Sequence, residues 1–273
     1  MTRGFPDCGA LVTGGRRGIG RAFAVRLASL GCRVRIATRS PDAAETAETL
    51  RAIAAASESW AAASGSEPRP PRALPWSLED AASAKELAAV LAAEDGPQIL
   101  IHAAHDIGPH QLIVGTPPEK LAASLHRNVV GAYALCRALC RSMSRQGFGR
   151  VLFIGSLAAV LGGQGQVCYV VEKSALEGMM RAFAAELGKK GVLVNLVHPG
   201  IVDTENVRER VRPEIREAYA SRTAAGRLLS PDDVVFASLG LIDPRQAGVT
   251  GQCLRIAGGV DLGAALLAEG SGQ

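Results

Sequence analysis

Apolar and polar positions are grouped along the chain in a way that predicts strands alternating with helices. A short apolar run, Cys8 to Thr13, precedes a glycine-rich stretch and then apolar residues at helical spacing from Ala22 to Leu30. Further strands are predicted at 33–38, 72–76, 98–103, 150–155, 191–197 and 252–256, and helices at 41–63, 83–93, 118–145 and 168–189. We take Ser40 before Pro41 as the start signal of the helix at 41–63. Continuously apolar strands alternating with helices predict an α/β fold, a doubly wound parallel sheet forming one domain over residues 1–273.

Composition narrows the class of protein. Hydrophobic residues make up 48% and aromatic residues only 4%, so the core must consist mainly of Ala, Val, Leu and Ile. The net charge of +4 is scattered, and no basic stripe with interleaved aromatics indicates a nucleic-acid partner. The six cysteines show neither CxxC nor disulfide-scaffold spacing, and we expect buried thiols and no metal site. With no apolar run of membrane-spanning length, we expect a soluble, cytoplasmic protein.

The first strand ends in a glycine-rich turn that is typical of nucleotide binding. Gly14, Gly18 and Gly20 would let the backbone turn tightly, approach a pyrophosphate and pack the following helix on the sheet. Arg16, Arg17 and Ile19 lie between these glycines. The helix N-terminus would add amide donors and the positive end of a dipole. The alternative interpretation is a tight turn without a ligand.

The second strand ends in Thr38-Arg39-Ser40, without the acidic residue that would bind an adenosine ribose. An acid there favours NAD, whereas an arginine accommodates the 2′-phosphate of NADP. Arg39 together with Arg16 would clamp that phosphate. The alternative is that both arginines are solvated surface residues.

The chemistry of the chain centres on Ser156 and on the pair Tyr169 and Lys173. Tyr169 and Lys173 are four residues apart in a predicted helix and share a face, so an ammonium lies beside a phenol. We expect that charge to lower the pKa of Tyr169 and make it a general acid or base. Ser156 follows a strand at the edge where ligands of such sheets bind, and would hold a substrate oxygen toward Tyr169. Alone, a Tyr-x-x-x-Lys pair is more often a surface feature of a helix.

Taken together, these residues resemble the short-chain dehydrogenase/reductase family over nearly the whole chain. The resemblance rests on Thr13-Gly14-x-x-x-Gly18-Ile19-Gly20, Asn128, Ser156, Tyr169-x-x-x-Lys173, Asn195, Pro199-Gly200 and Thr204. It implies a seven-stranded Rossmann sheet, a nicotinamide cofactor and a catalytic tetrad. In that tetrad Tyr169 is the acid/base, Ser156 orients the carbonyl, Lys173 holds the ribose and tunes Tyr169, and Asn128 supports a proton path. Ile201 and Thr204 would contact the carboxamide, and the cofactor-binding set includes Ala103, Ala104, Pro199 and Gly200.

Three positions depart from the family pattern. His102-Ala103-Ala104-His105 stands where Asn-Asn-Ala-Gly is usual, which could loosen cofactor binding. His105 could narrow the site or add a donor near the nicotinamide, or either histidine could simply pack and hydrogen-bond. Ser77 replaces a common Asp near the adenine. Glu172 precedes Lys173 where small residues are usual, and a helical step of about 100° predicts that it points away from the active face, into a subunit interface.

The favoured function is NADPH-dependent reduction of a ketone, with a 3-oxoacyl thioester or polyketide-like compound as substrate. The segments 163–169 and 225–228 look similar to those of β-ketoacyl carrier-protein reductases. Ser156, Gln166, Tyr169 and His105 are the expected substrate-binding residues. The alternatives are an NAD-dependent alcohol or sugar dehydrogenase and a non-catalytic nucleotide-binding scaffold.

Other expectations concern partners and assembly. Arg145, Lys189 and Lys190 would meet an acidic acyl carrier protein, and the charged segment 205–222 would form a lid over the site. The resemblance also implies a homotetramer, with the helices at 118–145 and 168–189 in one interface and the last strand in another.

Overall fold

The computed structural model describes residues 5, 8–94 and 96–262, so the remaining positions of the expected domain lie outside the described residues. Seven parallel strands form one sheet in the order β3-β2-β1-β4-β5-β6-β7. They are β1 (Gly9–Thr13), β2 (Arg33–Thr38), β3 (Arg72–Pro75), β4 (Ile99–His102), β5 (Gly149–Ile154), β6 (Val192–Pro199) and β7 (Cys253–Ile256). The doubly wound fold is therefore confirmed. Because β1 pairs with both β2 and β4, the strand order reverses beside β1, and a crevice opens there at the carboxyl edge.

Ten α-helices accompany the strands in the described ranges. They are α1 (Gly18–Ala28), α2 (Ala44–Ser64), α3 (Ala81–Ala92), α4 (Pro118–Leu125), α5 (Gly131–Gln146), α6 (Ala158–Leu161), α7 (Val167–Leu187), α8 (Glu205–Arg210), α9 (Pro213–Ala220) and α10 (Pro231–Ile242). One core packs α1 and α10 on the sheet, and the other packs α3, α5 and α7 on the opposite face. Both consist mainly of aliphatic side chains, and Cys136 and Cys140 are buried in the second. None of the helices in the described parts has the length and apolar character needed to cross a bilayer.

The start of α2 differs from the sequence prediction. The helix begins at Ala44, not at Pro41, because Pro41 to Ala43 form a turn and the Ala43 backbone is extended. Ser40 contributes its carbonyl, which accepts a hydrogen bond from the Thr46 hydroxyl at 2.8 Å. The Ser-Pro pair thus marks the turn before the helix.

The long helix predicted at 118–145 is interrupted at its middle. A π-helical turn, His126–Val130, separates α4 from α5, and Asn128 lies within it. Its extra residue turns Asn128 inward, where the side chain is only 2% exposed. Directly after it, Gly131 allows α5 to approach the loop after β3, since a Cβ there would lie 2.1 Å from the Leu78 carbonyl oxygen.

Candidate active site

A cavity of about 890 Å³ opens at the carboxyl edge of the sheet, between the loops that follow β1, β2, β4, β5 and β6. The predicted site residues that line it are Gly14, Arg16, Arg17, Gly18, Ile19, Gly20, Arg39, Ala103, Ala104, His105, Ser156, Gln166, Tyr169, Lys173, Pro199, Gly200, Ile201 and Thr204. Asn128 lies behind the cavity wall. The structure therefore brings together residues that are up to 190 positions apart, from Gly14 to Thr204.

Steric constraint shapes the turn between β1 and α1. Gly14 and Gly18 have φ of 65° and 56°, a left-handed conformation that glycine adopts without strain. A Cβ on Gly14 would lie 2.8 Å from the Ala104 amide nitrogen, and one on Gly20 would lie 2.3 Å from the Gly14 carbonyl oxygen. The turn leaves a concave backbone surface at the N-terminus of α1, which suits an anionic ligand.

Three arginines surround this turn, and two of them have acidic partners. Arg16 pairs with Glu45 at 2.9 Å, and Arg17 lies 3.8 Å from Glu209. Arg39 is exposed at the end of β2 and lines the cavity. Arg16 and Arg39 thus lie at the end of the cavity where the sequence predicts the 2′-phosphate, with the charge of Arg16 shared with Glu45.

Hydrogen bonds order His102-Ala103-Ala104-His105, the stretch at the end of β4 that departs from the family pattern. The Thr13 hydroxyl is 3.1 Å from Nδ1 of His102 and accepts a hydrogen bond from the Ala104 amide at 3.1 Å. The His102 ring packs edge-on against Trp76 and Phe153. Burial, followed by the charge of Lys173, lowers the pKa of His102 to about 3. His102 is therefore a neutral, packed side chain, as the structural alternative predicted.

Ser156, Tyr169 and Lys173 meet at the inner wall of the cavity. The Ser156 hydroxyl faces the Tyr169 phenol closely enough to lower the pKa of Tyr169. Lys173 donates to the Ile154 carbonyl at 2.9 Å, and its Nζ lies 5.8 Å from the centre of the Tyr169 ring. Gln166 stands immediately before α7, on the cavity side of the same loop. The helical spacing in the sequence predicted this juxtaposition.

The charge balance at Tyr169 differs from the sequence prediction. The pKa of Tyr169 is raised, chiefly by burial, while the Ser156 hydrogen bond opposes the rise and Glu172 adds to it. Lys173 is itself buried, and that burial lowers its pKa to about 8. The expected lowering by Lys173 is therefore wrong for this structure, because desolvation of the phenol outweighs the nearby charge. Tyr169 is a protonated phenol near neutrality.

Asn128 links the π turn to the loop after β4. Its Oδ1 accepts from the Asp106 amide at 2.8 Å, and its Nδ2 donates to the Asp106 carbonyl at 3.0 Å. Nδ2 also lies 3.1 Å from Oε1 of Glu172. Asn128 is thus a buried connector, not the surface polar residue that an interior helical Asn usually is.

The predicted direction of Glu172 is wrong. Glu172 is 2% exposed, and its carboxylate contacts Asn128, the Ser124 hydroxyl and Nε2 of His105, the last at 3.0 Å. The reason lies in the helical spacing, because Glu172 is three residues beyond Tyr169 and shares its face as closely as Lys173 does. The side chain therefore points toward α4 and the active site, away from solvent.

Sequence reasoning missed the role of His198 in holding Ser156. Nδ1 of His198 is 2.8 Å from the Ser156 carbonyl oxygen, and Nε2 is 3.0 Å from Glu177. Cys253 completes a group of three donor side chains within 4.8 Å of one another. Glu177 is also paired with Arg181, so a guanidinium already compensates its charge and an ion is not required. The His-Pro-Gly stretch at the end of β6 was the available signal.

The end of β6 and the segment after it form the outer wall of the cavity. Pro199, Gly200 and Ile201 lead from the strand, and the Thr204 hydroxyl caps α8 by accepting from the Val207 amide at 3.3 Å. The charged segment predicted as a lid contains α8 and α9, and Asn206, Val207 and Tyr219 from it line the cavity.

The predicted carrier-binding residues lie at the opposite edge of the sheet. Arg145 is in the last turn of α5, and Lys189 and Lys190 follow α7. These helix ends lead into the amino-terminal ends of β5 and β6, whereas the cavity opens at the carboxyl ends. A strand of six residues separates the two edges by roughly 20 Å. These three residues are therefore unsuited to guide a carrier to the cavity.

A family model and a curated relative both match nearly the whole chain. A family model described as enoyl-(acyl carrier protein) reductase matches residues 14–261. The 3-oxoacyl-[acyl-carrier-protein] reductase of Pseudomonas aeruginosa is 31% identical over 255 residues, which cover 92% of this chain and 96% of that protein.

Two solved structures extend the likeness to the fold. A short-chain type dehydrogenase/reductase from Mycobacterium ulcerans has a TM-score of 0.84 at 28% identity, covering 96% of this chain and 95% of that chain. The 3-oxoacyl (acyl-carrier-protein) reductase of Agrobacterium tumefaciens C58, solved with NADP bound, has a TM-score of 0.81 at 26% identity, covering 93% and 95%.

Proposed function

The chain belongs to the short-chain dehydrogenase/reductase family of oxidoreductases, and from that premise we propose that it reduces a ketone to a secondary alcohol with NADPH. The observation that carries the proposal is the placement of the Tyr169 phenol beside Ser156 at the wall of the cavity, with Nζ of Lys173 5.8 Å from the centre of its ring. A phenol carries its proton at neutral pH and can pass it to a carbonyl oxygen held by Ser156, as ketone reduction requires.

The residues of the turn after β1 fit a nicotinamide dinucleotide. Gly14 and Gly20 allow the close backbone packing that holds this turn, since a Cβ on either would collide with the backbone of Ala104 or Gly14, and the N-terminus of α1 suits the pyrophosphate. Arg39, with no acid at the end of β2, supports NADPH over NADH. Lys173 would hold the nicotinamide ribose, and Ile201 and Thr204 would hold the carboxamide. The bound cofactor supplies the hydride.

The proton moves at the Tyr169 hydroxyl. The Ser156 hydroxyl orients the substrate carbonyl toward Tyr169, so that the oxygen that gains charge during reduction faces a donor. The O–H bond of Tyr169 breaks, and its proton passes to that oxygen to complete the alcohol. Asn128, fixed by Asp106 and Glu172, keeps the π turn in place behind Lys173. A proton taken from solvent then restores the phenol.

We propose a 3-oxoacyl thioester or a related polyketide-like ketone as the substrate. The P. aeruginosa and A. tumefaciens relatives are named 3-oxoacyl carrier-protein reductases, and the cavity is large enough for an elongated acyl chain beside the cofactor. Gln166 and His105 line the substrate end, and the segment 205–222 acts as a lid that selects the acyl group. An acyl carrier protein as donor of the substrate would bind at the carboxyl edge.

The test is cofactor oxidation with purified protein. We expect NADPH to be consumed with a 3-oxoacyl thioester, more slowly with a simple ketone, and much more slowly when NADH replaces NADPH. Reduction of NAD⁺ by a secondary alcohol without any NADPH consumption would instead favour the oxidative alternative. Cofactor binding without turnover of any ketone would favour the scaffold alternative.

We further propose a cytoplasmic homotetramer built from single-domain subunits. Two groups of exposed apolar side chains support the assembly. Val130, Tyr133 and Val171 lie around α5 and α7, and Phe236 and Leu254 lie on α10 and β7. Light scattering coupled to size exclusion measures the mass directly, and a monomeric mass would contradict the tetramer.

A further inference from the structure

Glu172 is the centre of a buried polar cluster behind Tyr169. Its Oε1 is bonded to Nδ2 of Asn128 at 3.1 Å and to the Ser124 hydroxyl, while Oε2 faces Nε2 of His105 at 3.0 Å. A buried carboxylate is costly unless its oxygens are satisfied. Here Ser124 of α4 and Asn128 of the π turn donate to Oε1, and His105 of the loop after β4 lies beside Oε2. The cluster therefore holds an acidic group beside the catalytic residues.

His105 lies between Glu172 and Tyr169. Its ring packs edge-on against the Tyr169 ring, with centroids 5.2 Å apart and an interplanar angle of 84°. Nε2 of His105 lies 3.0 Å from Oε2 of Glu172 without the alignment of a hydrogen bond, and among the described residues the ring nitrogens of His105 have no aligned hydrogen-bond partner. Burial, then the charges of Lys173 and His102, lower the pKa of His105 well below its ordinary value. The imidazole is therefore neutral and does not compensate the carboxylate of Glu172, whose own pKa is raised, chiefly by burial.

The two departures from the family pattern are thus in contact. His105 stands where glycine is usual, and Glu172 stands where a small residue is usual. A single change at either position would leave a buried polar side chain facing an apolar neighbour or a void. Their contact across 67 positions of sequence indicates one functional unit.

Several charged groups act on Glu172 from the elements packed around it. Lys173 adjoins it on α7, and Arg127 of the π turn and Asp106 of the loop after β4 lie nearby, with Arg127 and Asp106 paired to each other at 2.5 Å. Arg127 is also paired with Glu79 at 3.2 Å, so two carboxylates already compensate its positive charge. The group that remains available to balance Glu172 is Lys173.

We propose that Glu172, supported by His105, is a positioning residue that keeps Tyr169 a phenol and favours the ammonium form of Lys173, so that Tyr169 remains a proton donor into the alkaline range. The inference rests on the proposed function of Tyr169 as proton donor. A buried carboxylate repels the tyrosinate and attracts the ammonium, and it acts on both without touching the substrate. The directions agree, because Glu172 raises the pKa of Tyr169 and of Lys173.

The decisive variant is Glu172→Gln, which keeps the shape and most hydrogen bonds of the side chain but removes its charge. We expect the alkaline decline of kcat for ketone reduction to move to lower pH by about one unit, with little change of KM. Glu172→Asp should restore most of the wild-type profile. Glu186→Gln removes an exposed acid from the same helix and should leave the profile unchanged.

A second measurement, the ionisation of Tyr169, does not depend on enzyme activity. The chain has three tyrosines, so the ultraviolet titration of wild type minus that of Tyr169→Phe isolates the ionisation of Tyr169. We expect Tyr169 to ionise above about pH 10 in wild type and at least half a pH unit lower in Glu172→Gln. Half a unit corresponds to a change of about threefold in the ionisation equilibrium constant of Tyr169. An equal titration in the two proteins would overturn the inference.

The two proposals fail in different ways. If wild type reduces ketones but neither the profile nor the titration moves in Glu172→Gln, the role of Glu172 is wrong and the reductase stands. If no ketone is reduced, the proposed function fails, while the titration still decides whether Glu172 controls Tyr169. The fold-loss of kcat in the double variant His105→Gly/Glu172→Ala should be smaller than the product of the fold-losses in the two single variants. The double variant leaves neither polar side chain without its partner.

Discussion

The turn after β1 and the cluster around Tyr169 line the same cavity but are built in different ways. The turn is shaped by the absence of side chains, since a Cβ on Gly14 or Gly20 would collide with neighbouring backbone. The cluster is shaped by buried ionisable groups, Glu172 and Lys173, which are 2% and 4% exposed. One region depends on steric fit and the other on the balance of charge in a low-dielectric environment. They should therefore respond to different perturbations.

The largest effect should follow the loss of the Tyr169 hydroxyl. In Tyr169→Phe we expect kcat for ketone reduction to fall by about 10³-fold, because the general acid is gone while the ring still packs on His105. Cofactor affinity, measured by fluorescence titration, should change by less than about threefold. A variant that retained a tenth of the wild-type rate would show that the proton comes from another group.

Gly20→Ala tests the steric region. The added Cβ would lie 2.3 Å from the Gly14 carbonyl oxygen, so the turn must shift. We expect about 1–3 kcal/mol lower free energy of unfolding, measured in urea, together with weaker cofactor binding. The matched control is Gly178→Ala in α7, where a Cβ meets nothing within 4 Å. The Gly178→Ala variant should be more stable than wild type by about 0.5–1 kcal/mol. Equal changes in unfolding free energy in the two variants would contradict the steric explanation.

The pH dependence of stability tests the charged region. Lys173 has a folded-state pKa of about 8, lowered by burial, so between that value and its ordinary value the unfolded chain binds the extra proton. Stability contributed by this residue is therefore lowest below pH 8 and rises as pH increases above it. The unfolding free energy of wild type, relative to that of Lys173→Met, should rise by roughly 1.5–2 kcal/mol from pH 8 to 9.5. A difference that stays constant over this range would mean that Lys173 is not desolvated.

The smallest effect should come from Arg39→Ala at the exposed end of the cavity. We expect NADPH affinity to fall about fivefold and NADH affinity to stay within about twofold, since a solvated charge–phosphate contact is worth ~1 kcal/mol. Parallel titrations with the two cofactors measure this selectivity. Equal weakening for both would assign Arg39 to a general electrostatic role.

The contrast between the regions also explains what could be read from the sequence. The strands, the glycine turn and the spacing of Tyr169 and Lys173 follow from local rules of backbone geometry and periodicity, and the fold was predicted correctly. The contact of Glu172 with His105 and Asn128 joins three distant segments, and no local pattern encodes such a pairing. The raised pKa of Tyr169 was missed for a related reason, because burial is a property of the whole fold.

Errors at element ends have a simpler cause. A proline after a serine fits both the first turn of a helix and the turn before one, and here the chain adopts the second. The sequence shows the positive charge of Arg145, Lys189 and Lys190 but not the edge of the sheet at which they lie. The predicted contact with a carrier protein therefore placed them at the wrong edge.

The π turn at His126–Val130 has a consequence for how this chain can vary in length. Removing one residue there would let α4 and α5 join as one regular helix, at no cost in local geometry. Because the π turn absorbs one extra residue, the directions of α4 and α5 would change little, but the bulge that turns Asn128 inward would be lost, and with it the hydrogen bonds of Asn128 to Asp106 and Glu172. The length of this stretch, and not only the identity of Asn128, therefore fixes where that side chain lies.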